Sequence, residues 1–304
     1  MAGAALLLVG AVSGWLVWPR PAPPPIATPA SPGSATARAF RVETADEQRI
    51  RDHVSPGLTI FNFAANPRIL VLDFASLLEQ GRTLDRVAAF VEKAGLPHDR
   101  VLTDDELDAA IRATGDTVET FYYGHDYPSS ALVRFFASAD AQHVELNRQE
   151  ETLRALLRQE GWFAPGVAGA LISLPSVGAD DKVTPAVRAG ILRHELSHGE
   201  FFSDPTYAAY VHDFWLSALS EPERAAMRGF LAKDGYDAGE EELMYNEMQA
   251  YLMFTRERSM FAPSMIGMSE SRLKDLQRAF LAGMPAGWLR AVMAAYPDQV
   301  SAQQ

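Results

Sequence analysis

His194-Glu195-Leu196-Ser197-His198 sets two imidazoles four residues apart with a carboxylate between them. On a helix, residues four apart lie about 40° apart around the axis, so both imidazoles project from one face. Two ligands of one tetrahedral zinc need that geometry. Glu195 is rotated about 100° from His194, within reach of a water on such a metal. There it can take the water's proton and later pass it to a leaving amine. The neighbours Ile191, Leu192 and Phe202 predict that this helix is buried. Two buried histidines beside a glutamate cost free energy unless a metal or polar partners compensate. The chain has no cysteine, which excludes disulfides, thiolate ligands, a cysteine nucleophile and a lipoprotein cysteine. Any metal must be held by His, Asp or Glu.

Two carboxylates compete as a third ligand. Glu247 stands in Asn246-Glu247-Met248-Gln249-Ala250, on a predicted helix 49 residues after His198. Its neighbours Leu243, Met244, Ala250 and Tyr251 predict that it points inward. The other reading is a solvated glutamate beside Glu240, Glu241 and Glu242. Asp204 lies ten residues after His194. On an unbroken helix it lies six residues past His198, about 240° around the axis, and no helix-breaking glycine stands at 201, which is Phe. Without that break Asp204 faces away and reads as a helix-end residue before Pro205.

These residues resemble the HExxH zinc metallopeptidases, the zincins, and among them the gluzincin branch. There a glutamate from a later helix, often in an Asn-Glu motif with a small residue three positions on, is the third protein ligand. The resemblance spans roughly residues 168–256, and the long gap to Glu247 is closer to the neprilysin-like than to the thermolysin-like members. It implies a zinc held by His194, His198 and Glu247, with Glu195 as general base. Those enzymes carry an Asp four residues after the ligand Glu to orient a zinc-binding histidine; this chain has Tyr251 there. Tyr251 or another carboxylate is expected to take that role. The metzincin pattern is not met, and Met260, Met265 and Met268 read as core packing. The resemblance also implies a sheet edge that binds an extended peptide, expected at 170–174.

A zinc peptidase also needs a donor for the oxyanion of its tetrahedral intermediate. Tyr207, Tyr210, His212, Tyr236, Tyr245 and Tyr251 are the candidates. His125, in Tyr122-Tyr123-Gly124-His125-Asp126-Tyr127, is expected in an aromatic loop. Glu200 is expected to be solvated.

Elements that position these residues follow from periodicity and caps. Ile69–Phe74 is a buried strand, Leu77–Ala94 a helix, and Thr103 with Glu106 caps another. Thr117–Tyr123, rich in β-branched and aromatic residues, is expected to be a strand. Ser129 or Ser130 starts a helix through Phe136, and 143–159 is an amphipathic helix. A strand at 168–175 ends at Pro175. Thr184-Pro185 opens the helix that carries the two histidines. Further helices are expected at 206–218, 221–232, 240–256, 270–282 and 285–296, with Ser220 and Glu223 as a capping box. The expected fold class is α+β and zincin-like, a small mixed sheet packed on the histidine-bearing helix with a mainly helical C-terminal half.

The chain of 304 residues is 48% hydrophobic and 22% charged, so it folds around a core. Its 39 acidic and 27 basic residues give a net charge of −12, which excludes the basic face that nucleic-acid binding needs. Residues 2–18 carry no charge and read as a signal peptide or membrane anchor. Pro19–Pro32 holds seven of the nineteen prolines, so 19–39 is an extended Pro/Ala-rich linker. Residues 40–304 are the expected metallohydrolase domain. The reading is a zinc peptidase outside the cytoplasm, periplasmic or otherwise exported, with a peptide or protein substrate. Membrane contact would run through the N-terminal segment only. A non-catalytic zincin-like module of the cell envelope and a hydrolase of a non-peptide amide are the alternatives.

Overall fold

The computed structural model describes residues 39–295. The segment 1–18 and all but the last residue of the linker 19–39 lie outside the described residues. Among the described residues, no helix is long and apolar enough to cross a membrane.

The fold is mixed α+β. Five strands, β1 (Val42–Ala45), β2 (Leu58–Phe63), β3 (Ile69–Phe74), β4 (His125–Pro128) and β5 (Ala170–Pro175), form one sheet in the order β1-β2-β3-β5-β4. β1 runs parallel to β2 and β3 parallel to β5, whereas β2 with β3 and β4 with β5 are antiparallel. β3 and β5 are buried along their whole length, as unbroken apolar runs covered on both faces should be. Their side chains alternate between two cores. Leu70, Leu72 and Leu171 face helices α2 (Leu77–Val91), α4 (Ser129–Gln142) and α5 (Arg148–Gln159) through Leu84, Leu132 and Leu153. Ile69, Val71, Ile172 and Leu174 face α6 (Pro185–Ser203) through Ile191, Leu192 and Leu196, with Ile50 of α1 (Glu47–Arg51) beside them. Helix α3 (Asp104–Thr114) opens with the expected box of Thr103 and Glu106.

Two devices seat α6 on the sheet. Thr184 caps it, its hydroxyl accepting from the Val187 amide, and Pro185 occupies the first turn. Arg188 is fully buried and forks onto both oxygens of Asp73 in β3 (2.9 and 3.0 Å) while donating to the Ile50 carbonyl. At the far end the helix approaches β3 so closely that a β-carbon on Gly199 would stand 2.8 Å from the Ile69 side chain.

The C-terminal half is helical: α7 (Pro205–Ala218), α8 (Glu221–Lys233), α9 (Glu241–Gln249), α10 (Glu270–Gly283) and α11 (Trp288–Ala295). They share a core that includes Trp215, Met248, Leu252 and Phe280. The capping box of Ser220 and Glu223 forms as expected.

Several expectations are corrected. Thr117–Tyr123 is a turn, because Thr120 and Asp116 side chains bond locally and Phe121 N–H closes on Thr117 O (3.0 Å). The strand falls at β4 instead. β4 is therefore one edge of the sheet, with β1 the other, and β5, expected at an edge, lies inside. Helix α4 runs on to Gln142 and ends at His143 in the left-handed conformation (φ 55°), so α5 starts only at Arg148, capped by Asn147. The helix expected over 240–256 is α9 followed by a wide π-helical turn, Ala250–Phe254. Met265 is 47% exposed and fills no core.

Candidate metal centre

His194, His198 and Glu247, predicted from two helices 49 residues apart in sequence, converge in space. The two Nε2 atoms stand 3.1 Å apart, and Glu247 Oε2 lies 3.6 Å from each. Both imidazoles and the carboxylate are buried. The far ring nitrogens fix the tautomers. Thr255 uses its own proton on the Ala250 carbonyl (2.9 Å), so it accepts from His194 Nδ1 (2.8 Å). Asn246 Oδ1 accepts from His198 Nδ1 (2.9 Å). Both Nε2 atoms therefore aim lone pairs at one point. Neither oxygen of Glu247 has a hydrogen-bond partner. Three acceptors facing one another in a buried site repel unless a cation lies between them. Their separations match the edge, about 3.3 Å, of a tetrahedron with zinc–nitrogen bonds of about 2.0–2.1 Å. The residues present thus fit a divalent metal with a nitrogen-rich ligand set.

The orientation of His194 corrects one expectation. Tyr251 does not accept from it. Its ring packs edge-on against the imidazole, centroids 4.7 Å apart. Thr255 takes the role, placed there by the π-helical turn, which closes with Thr255 N–H on Ala250 O (2.9 Å).

Burial sets the electrostatics. It holds His194 down to about 3 and His198 down to about 4, so both rings are neutral and ready to ligate. It lifts Glu247 to about 7. Glu195 is raised well above the usual carboxylate range by burial and by the charges of Glu247 and Glu92. Asp126 on β4 is raised too, by burial and by Glu195. Glu92, just past α2, is lifted to about 8 by burial and the charge of Glu247. Four carboxyl groups around two neutral imidazoles repel one another when ionised, and a cation among them relieves that repulsion.

Glu195 and Asp126 both bring a carboxylate oxygen within 4.8 Å of a His198 ring nitrogen. Glu195 Oε2 is buried without a partner. Its Oε1 lies under Gly124, where an added β-carbon would stand 2.0 Å away. A glycine is needed at 124 because the backbone leading into β4 passes directly over the carboxylate.

The other sequence candidates scatter. Asp204 caps α7, accepting from Thr206 and Tyr207 amides, and takes no part in the group. Tyr207 donates to Gln249 and Tyr210 to the Phe280 carbonyl. His212 and Tyr245 pair ring against ring, 5.1 Å between centroids, with His212 rooted in α7 and Tyr245 in α9. Tyr236 is half-buried, in the field of Glu247 and hydrogen-bonded to Tyr251. His125 is on β4, not in a loop, and its Nδ1 meets Ser173 Oγ (2.9 Å). Glu200 is buried, accepting from Asn66 and Trp288 (both 2.6 Å).

Sequence reasoning missed Tyr122, Asp126, Glu92 and Thr255. The Tyr122 hydroxyl is buried without a partner, in the field of Glu92, Glu247 and Asp126, and burial keeps its proton on. Comparison of the chain with protein-family models, curated proteins and solved structures finds no match.

Proposed function

We propose that the chain is a zinc-dependent peptidase of zincin-like fold, acting on a peptide or protein substrate. The observation that carries this reading is the convergence of two Nε2 lone pairs on an unpartnered, buried Glu247 carboxylate. The mixed sheet with antiparallel edge strand β4 beside α6 supports the zincin-like assignment. Bound there, zinc supplies an acidified water and polarises a carbonyl.

The chain's own residues do the rest. Glu195 takes a proton from the attacking water and returns it to the leaving amine. Thr255 and Asn246 hold the imidazoles in their ligating tautomers. Tyr122 donates to the carbonyl oxygen as negative charge grows on it. The uncharged segment 2–18 supports export or anchoring at a membrane, with the catalytic body outside the cytoplasm.

One observation favours a second reading, a non-catalytic module that keeps the metal. Glu195 is 5% exposed and covered by the backbone at Gly124. A single pair of proteins separates the two. The zinc-loaded parent is screened for cleavage of a mixed peptide library, and Glu195→Gln is screened beside it. Under the peptidase reading the variant keeps its zinc and loses cleavage about 10²–10⁴-fold. A parent with one zinc per chain and no cleavage establishes the module. Undiminished cleavage by the variant removes Glu195 as the base.

A further inference from the structure

Beside the metal group lies a cavity of about 420 Å³, a size typical of small-ligand sites. It meets the group at Asp126 and Asn246, both part of its lining. Its floor is acidic. Glu92 lines it although only 5% exposed. One oxygen of Glu92 accepts from the Tyr127 hydroxyl (3.1 Å), and the other accepts no hydrogen bond among the described residues. Asp126 adds a second carboxyl to the same space. The walls are apolar, from Val91, Ala131, Leu243 and Phe202. At the mouth stand the exposed Glu240 and Glu242, with Arg134 as the opposing cation and half-buried His98. Lys93 feels the charge of Glu92 but does not cover it. Its ammonium sits over the Phe121 ring, 4.1 Å from the centroid, and it does not line the cavity.

A carboxyl buried this deeply, held by one neutral hydrogen bond and the field of Lys93, keeps an acceptor for a donor that enters the cavity. Apolar walls leading to paired carboxyls suit an aliphatic stem with a cationic head. A guanidinium, with its fixed fork of donors, satisfies two carboxyls at once.

We propose that this cavity binds a cationic side chain of the substrate, a guanidinium foremost, and so directs the enzyme to basic sequences. The proposal rests on the peptidase reading for its consequence but not for its binding test. The full chain, with and without zinc, is titrated calorimetrically with Nα-acetyl-arginine amide and with Nα-acetyl-citrulline amide, which has the same shape and no charge. The arginine amide should bind at least tenfold more tightly, and Glu92→Gln should abolish most of that preference. Equal binding of the two amides, no binding of the arginine amide, or a preference untouched by Glu92→Gln overturns the proposal. If Glu92→Gln does not fold, the comparison of the two amides on the parent decides alone. Peptide cleavage is read separately. Charge-selective binding without cleavage of any peptide keeps the cation site and removes the peptidase. Cleavage indifferent to arginine, with equal amide binding, keeps the peptidase and removes the cation site.

Discussion

Glu247 holds Oε2 3.6 Å from Nε2 of His198 while neither of its oxygens accepts a hydrogen bond. A buried carboxylate left in that state destabilises the metal-free fold, and a cation relieves it. Zinc at a hundredfold excess over its dissociation constant should therefore add about 2.7 kcal/mol to stability. For a chain of this size that raises the melting temperature by about 5–10 °C, and a chelator should reverse it. Glu247→Ala should lose the zinc and the increment together. Melting curves with zinc and with chelator, paired with elemental analysis, test this; an equal gain in the variant would remove Glu247 from the ligand set.

Thr255 and Asn246 act on the metal only through the rings they orient. Thr255→Val removes the acceptor for His194 Nδ1–H and should weaken zinc binding about 10–100-fold. Asn246→Leu should do the same through His198. Tyr251→Phe keeps the ring that packs on His194 and should leave zinc affinity within about twofold, since no hydrogen bond to the imidazole is lost. Competition against a chromophoric chelator gives all three constants. A large loss in Tyr251→Phe alone would reverse the assignment of the orienting residue.

Why Thr255 escaped the sequence reading is physical. A regular helix over 240–256 places residue 251, one turn beyond Glu247, beside the histidines. The π-helical turn at Ala250–Phe254 inserts a residue, and no residue type announces it. By contrast, His194, His198 and Glu247 were legible because helical spacing fixes the first two on one face and an apolar flank turns the third inward. β3, β5 and α6 were legible from unbroken apolar runs and the Thr184-Pro185 cap. β4 was not. Its four residues, His125–Pro128, contain two polar ones, and its place at the sheet edge depends on long-range pairing with β5. Asp126 and Glu92 reach the site only through that pairing and through the end of α2, so local pattern could not mark them.

The buried Tyr122 hydroxyl has no hydrogen-bond partner among the described residues. Tyr122→Phe should lower kcat on a cleaved peptide about 10²–10³-fold with little change in KM, zinc content or melting temperature. A matched loss in KM instead would make Tyr122 a substrate contact rather than a partner of the developing oxyanion.

Away from the site, Glu223 ties the start of α8 to α10. It accepts from Arg272 (2.7 and 3.0 Å) and from the Ser220 amide (2.7 Å). Those bonds, the arginine's first, hold it down to about 2 against an ordinary 4.5. Its pKa is lower folded than unfolded, so its contribution is present above about pH 4.5 and is lost as pH falls towards 2. Glu223→Gln should cost about 2 kcal/mol at neutral pH, allowing for partial exposure. The gap between parent and variant should close between pH 4.5 and pH 2 in denaturant titrations. A gap that stays constant across that range would assign the loss to packing instead of ionisation.

Gly124 separates the roles of the metal ligands and the base. Its backbone passes so close to Glu195 that an added methyl would stand 2.0 Å from Oε1. Its φ lies outside the left-handed region, so Gly124→Ala carries no backbone penalty of that kind, and the strain falls on the carboxylate and on Ile191, 3.1 Å away. Relief comes from rotating Glu195, whose Oε2 is unpartnered and whose one side-chain partner is Asp126 on β4. His194 and His198 keep their own partners, Thr255 and Asn246, through that motion. Gly124→Ala should therefore retain one zinc per chain and lose cleavage at least tenfold, with destabilisation of about 1–3 kcal/mol from the tighter packing. Gly199→Ala, whose methyl would meet Ile69 at 2.8 Å one turn further along α6, should destabilise by a similar amount. It should spare cleavage at temperatures where the chain is folded. If both variants lose cleavage in proportion to lost stability, Glu195 has no special sensitivity to the backbone leading into β4. If only Gly124→Ala does, the backbone over the carboxylate sets the position of the base.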